Sequence, residues 1–123
     1  MPLHRYRKPR ANHPFVGTWH ITEMEFWDED YLHMELQAFL QVRPDGSSAF
    51  QFGLVRGETG GYLEDEPPEQ RFAVTWDGND EMDPVNGCGW IRLRSTDEVS
   101  GVIKIHLVDR FTFAARRVAA PGC

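Results

Sequence analysis

From residue 15 to residue 117 the chain is built of short runs in which apolar and polar side chains alternate, separated by turn residues at close spacing. This is the pattern of an antiparallel all-β domain. The first run, 16–27, has faces Trp19/Ile21/Glu23/Glu25 and His20/Thr22/Met24/Phe26, and its apolar residues change face part-way, which predicts a bulge or bend. Asp28, Glu29 and Asp30 are placed to cap one short helical turn over 28–36. Further strands are expected over 36–42 and 48–55, joined at Pro44-Asp45-Gly46, then a weak one at 62–63 and one over 71–76. The last three are expected over 90–94, 99–107 and 111–117. Stretches 64–69 and 77–89 read as long acidic loops.

Eight strands joined by hairpin-length turns predict antiparallel neighbours in chain order, and an up-and-down barrel accommodates them while removing exposed edges. A two-sheet sandwich is the alternative. The domain is expected over 15–117, after a basic N-terminal arm at 1–14 that is flexible or lies on the surface, and before a C-terminal tail at 118–123.

Charge narrows the classes of partner. Asp and Glu total 19 against 13 Lys and Arg, for a formal net charge of −6. Arg5, Arg7, Lys8 and Arg10 stand in the arm without an acid; removing that +4 from −6 leaves −10 on residues 14–123. Such a body repels nucleic-acid phosphates and anionic lipid. Neither an apolar leader nor a membrane-length apolar run occurs, so the chain reads as a soluble cytoplasmic protein. Cys88 and Cys123 are too few for a disulfide framework and form no zinc-binding pair.

Gly17-Thr18-Trp19, at the start of the first strand, resembles the Gly-x-Trp element of the calycin superfamily, which comprises lipocalins, fatty-acid-binding proteins and avidins. The resemblance implies a barrel closed at one end by Trp19, covered by a basic side chain from the last strand, with Arg116 as the candidate and Arg117 beside it. The wider pattern around 17–25 and 76–83 is similar to a group of small bacterial proteins, which implies a shared fold and no reaction. The chain is shorter than a lipocalin and lacks a disulfide pair.

Candidate chemistry is sparse. Asp77, Asn79, Asp80 and Asp83 offer oxygen ligands for a hard cation, but Met82 and Cys88 stand where an EF-hand loop requires glycine and glutamate. Glu23 and Glu25 are candidate acid–base residues if they face the interior, although a bulge near Glu23 would turn them outward. His20, His33 and His106 form no metal-binding spacing, and no nucleophile elbow or phosphate loop is present. No cofactor is implied.

The aromatic residues can fill the lumen or line a small cavity. The expected function is binding of a small, partly apolar ligand, lined by Trp27, Tyr31, Phe50, Phe52 and Trp76 and anchored by Arg92 or Arg94 if the Trp90 face points inward. The alternative is a protein-interaction scaffold with a filled barrel, using its acidic loops or basic arm; an acid–base enzyme ranks last. Phe39, Val102 or Met24 could pair two barrels into a homodimer. If the two acidic loops lie at one end, they form a single negative rim.

Overall fold

A computed structural model describes residues 6–7, 14–34, 36–66 and 69–118. After β1 (Tyr6–Arg7), eight strands form the barrel: β2 (Gly17–Met24), β3 (Phe39–Val42), β4 (Ser47–Phe52), β5 (Val55–Glu66), β6 (Glu69–Asp80), β7 (Asp83–Ser95), β8 (Glu98–Ile105) and β9 (Asp109–Arg117). Each pairs antiparallel with the next, and β2 pairs with β9, so the up-and-down barrel is closed. The extra strand β1 pairs Tyr6 with Glu64 and Arg7 with Leu63, tying part of the basic arm to β5. Residues 1–5 and 119–123 lie outside the described residues.

Parity assigns the ends. The β3–β4, β5–β6 and β7–β8 turns lie at the end where Trp19 enters the barrel; the other end holds the β4–β5, β6–β7 and β8–β9 turns and the β2–β3 connection with helix α1 (Glu29–Leu32). Asp28 caps α1, its Oδ1 accepting from Tyr31 N at 2.9 Å, and Leu32 is buried beneath it. At the β3–β4 turn the Ser47 hydroxyl and amide donate to Asp45, holding its carboxyl below the usual carboxylate range. A lowered folded pKa means this contact is complete above the ordinary carboxylate pKa and is lost as pH falls through the folded value.

The strands differ most from the sequence reading at β5, β6 and β7, which run 12, 12 and 13 residues. The stretches read as acidic loops, and the isolated strand at 62–63, are paired ladder: Val55–Glu66 opposes Glu69–Asp80, and β6 continues against β7 as far as Asp80 opposite Asp83. Acids and glycines lower strand propensity, but here Glu58 and Asp77 are exposed on the outer face, and Gly57, Gly78 and Gly87 meet neighbouring strands at close range. A Cβ at Gly78 would fall 1.8 Å from the Arg56 carbonyl oxygen. The two acidic segments are the turns at opposite ends of β6, so they cannot form one rim.

The core follows the alternation. Trp19, Ile21, Leu40, Val42, Phe50, Phe52, Phe72, Trp76, Ile91, Ile103 and Phe113 all point inward and are buried. In β7 the inward set contains Ile91 and Leu93, which puts Trp90, Arg92 and Arg94 on the outer wall. A register shift between Ile21 and Glu23 is the bulge expected there; beyond it Met24 is buried and Glu23 and Glu25 are exposed. No helix among the described residues is long and apolar enough to cross a membrane.

Glycine makes room for the rings. A Cβ at Gly57 would sit 2.7 Å from Phe50 and 2.8 Å from Trp76, whereas one at Gly60 would meet nothing within 4 Å. Gly57→Ala is therefore expected to cost about 1–3 kcal/mol by overpacking, and Gly60→Ala to stay within about 0.5 kcal/mol of wild type. Urea unfolding midpoints compare them directly; equal midpoints would contradict this packing.

Candidate functional site

The closed end is built on Trp19. Its indole is fully buried and its Nε1 donates to Phe15 O at 3.0 Å, with the Arg117 guanidinium 4.2 Å from the ring centroid. Arg117 also donates from Nη1 to Val16 O and from Nη2 to Pro14 O, each at 2.8 Å, and from Nε to Thr96 O at 3.2 Å. Gly17 leaves space for it, since a Cβ there would lie 2.8 Å from Nη1. The covering residue is thus Arg117, and the choice of Arg116 is corrected: Phe111, Phe113, Ala115 and Arg117 share the inward parity of β9, while Arg116 points out and is exposed.

The aromatic residues named as ligand lining do come together, but against one another. Tyr31 meets Trp27 at 5.2 Å between ring centroids, Trp27 meets Phe52 at 5.1 Å, Phe52 meets Phe50 at 5.8 Å, and Phe50 meets Trp76 at 4.9 Å. This chain of rings runs from exposed Tyr31, through half-buried Trp27, to buried Trp76. Mid-barrel, a cavity of about 30 Å³ lies among Leu40, Thr59, Phe72, Ile91 and Phe113. That is far below the roughly 300 Å³ or more of a small-molecule pocket. Ser48 and Thr59 satisfy each other by a hydroxyl–hydroxyl bond in the core.

The polar anchors and the paired carboxylates, considered separately in the sequence, share one groove on the outer wall. It holds about 500 Å³ and is lined by Glu23, Glu25, Trp90, Arg92 and Arg94 over a floor of smaller side chains from β8 and β9. Arg92 and Arg94 therefore do not anchor anything in the lumen, because β7 presents them outside. The Arg71 and Arg92 guanidinium carbons lie 4.2 and 5.9 Å from the Trp90 ring centroid.

The α1 end carries a feature that sequence reading missed. Among the described residues, the large apolar side chains that are exposed are Phe26, Tyr31, Met34 and Leu36 in the β2–β3 connection, Met82 in the β6–β7 turn, and Leu107 and Val108 in the β8–β9 turn. All belong to this one end. Phe26, Glu81 and Leu107 also hold positive φ angles of 71°, 56° and 64°, a conformation costly for bulky residues. The signal available beforehand was a bulky residue at each tip where glycine or asparagine is usual.

The remaining candidates do not converge. Asp77 and Asn79 sit on β6, and Asp80 faces Asp83 across the turn; among the described residues no three His, Cys, Asp or Glu side chains are grouped to hold a metal ion. His33 Nδ1 accepts from Ala38 N at 3.0 Å, fixing the chain after α1. His20 and His106 are exposed, as is Cys88, while Cys123 lies outside the described residues. Of the residues considered for a homodimer, Met24 is buried inward, Val102 is 7% exposed in the groove floor, and Phe39 is half-buried.

Comparison with models of known families, with curated proteins and with solved structures finds no match.

Two stability measurements test this description. Arg117→Ala should cost about 2–3 kcal/mol through lost charge-assisted bonds and the cation–π contact, whereas Arg116→Ala should change stability by less than about 0.5 kcal/mol. Leu107→Asn should raise stability by about 0.5–1 kcal/mol, because asparagine tolerates the left-handed backbone and Leu107 is 92% exposed. Thermal unfolding of the variants reads both, and a destabilised Leu107→Asn would argue against strain at that tip.

Proposed function

We propose that this protein is a calycin-like barrel acting as a non-enzymatic docking module, in which the filled barrel is a scaffold and the α1 end holds a protein segment with apolar anchors and basic flanks. The observation that carries the reading is that, among the described residues, the exposed large apolar side chains all lie at that end. The calycin likeness rests on Trp19 beneath Arg117 at the opposite end, in an eight-stranded closed meander. A lumenal ligand is disfavoured because the mid-barrel cavity is far smaller than a ligand pocket of about 300 Å³ or more, so a ligand of that size would have to displace the packed rings.

Charge selects the partner. Across residues 25–34, 36–38, 52–56, 80–83 and 106–110 this end carries Glu25, Asp28, Glu29, Asp30, Asp80, Glu81, Asp83 and Asp109 against Arg56 and Arg110. Two such ends facing each other would repel, as would one end facing an anionic membrane. A basic, apolar-faced segment satisfies both features, with Phe26 and Leu107 held outward as preformed contacts. Strain retained at exposed tips fits a stability cost kept for binding.

An 18-residue amphipathic Leu/Lys peptide serves as the probe, with a Leu/Glu peptide of matched spacing as control. The Leu/Lys peptide should bind in the micromolar range, weaken as salt rises, and lose about tenfold in affinity with the double variant Phe26→Ser/Leu107→Ser. Equal binding of both peptides, or an unaffected double variant, would overturn the reading.

A further inference from the structure

The outer-wall groove has an order that follows from strand register alone. One row across four strands reads Glu23 on β2, Ala114 on β9, Ser100 on β8 and Arg92 on β7, each directly opposite the next. In the neighbouring row Glu25 bonds to Thr112, Thr112 opposes Val102, and Val102 opposes Trp90. Carboxylates therefore form one wall, a guanidinium and an indole form the other, and the floor between them is Ala114, Ser100, Thr112 and Val102. The concavity comes from that size difference, since a barrel's outer wall is otherwise convex. Val102 points outward yet is only 7% exposed, so it forms a sheltered apolar spot in a floor that also carries the Ser100 and Thr112 hydroxyls.

Each wall has one held charge and one free charge. Glu25 Oε1 accepts from Thr112 N at 3.3 Å and from Thr112 Oγ1 at 3.4 Å, which fixes it against β9. Arg92 Nε donates to Ser100 Oγ at 3.5 Å, with its guanidinium near the Trp90 ring. Among the described residues, Glu23 and Arg94 make no ion pair or side-chain hydrogen bond, and both are exposed. Glu23 and Arg94 thus stand on opposite walls, two strands apart, without pairing with each other. Three interstrand steps separate the β2 and β7 backbones, about 14 Å, which leaves the walls a few residues' length of extended peptide apart.

We propose that this groove binds a short zwitterion of the class of a free tripeptide, with its ammonium on Glu23 and Glu25, its carboxylate on Arg92 and Arg94, and an apolar side chain on Val102 beside Trp90. A ligand of one sign would satisfy one wall and meet like charge at the other, so the groove selects for both charges in one molecule. Exposed ion pairs contribute little each, so the affinity is weak, with a Kd on the order of 1 mM. This site is separate from the α1 end and does not depend on its role.

The test is titration of ¹⁵N-labelled protein with Ala-Phe-Ala, with its N-acetyl derivative and with its C-terminal amide, followed by amide chemical shifts. The free peptide should move the amides of Ser100, Val102 and Ala114, and blocking either end should weaken binding about fivefold or more. Glu23→Gln/Glu25→Gln should abolish the discrimination between free and acetylated peptide while keeping the preference for a free carboxylate. Arg94→Gln should reduce discrimination against the amide in the same way. The unliganded spectrum reports that each variant is folded. No shifts at 10 mM peptide, shifts confined to another surface, or equal binding of free and blocked peptides would overturn the proposal.

Discussion

The pairing of β2 with β9 is the contact on which the rest of the molecule depends. Every other barrel pairing joins strands consecutive in the chain, whereas this one brings Trp19 opposite Arg117 and so closes a loop spanning nearly the whole domain. Its entropy cost cannot be offset locally. Burial of Trp19, the guanidinium over its face, and the bonds from Arg117 to the Val16, Pro14 and Thr96 carbonyls concentrate the compensation where the ends meet. Once closure is made, strand number sets a lumen of side-chain width.

That width turns the aromatic residues into core. Phe50, Phe52, Phe72 and Trp76 fill the interior because Gly57 and Gly61 on β5 yield the space their rings occupy. With the lumen filled, charged and exposed apolar groups are left to the outer wall and the ends. The bulge in β2 matters for the same reason: one extra residue sends Met24 into the core and aligns Glu23 and Glu25 on the outside, facing β7. The α1 end spends stability differently, holding Leu107 and Phe26 in left-handed backbone with their side chains exposed.

Much of the fold was legible because a strand's side chains alternate strictly. The inward residues of β4, β8 and β9 follow from that period, as does the break in β2, and Asp28 marked the helical turn three residues before Tyr31. The ends of β5, β6 and β7 were not legible. Gly57, Gly78 and Gly87 read as turn residues when only neighbours along the chain are considered, and Asp77 and Asp80 as loop acids. Pairing with the next strand overrides such local preference, since a glycine facing a closely packed neighbour is a requirement of the ladder.

The candidate site divides along the same line. Glu23, Glu25, Arg92 and Arg94 could be picked out by residue type, yet their distances in sequence carry no information about facing one another across β8 and β9. The exposed apolar residues likewise fall in three separate connections, and only the antiparallel parity of the barrel gathers them at one end while sending the acidic turn after β5 to the other. What the sequence determined by itself was the alternation, the strand count and the identity of the side chains, because these are properties of neighbours in the chain. The register of the closing pair, the choice of Arg117 over Arg116, and the assignment of charges to walls and ends were decided by tertiary structure, because each depends on a non-local strand pairing that neighbours along the chain do not specify.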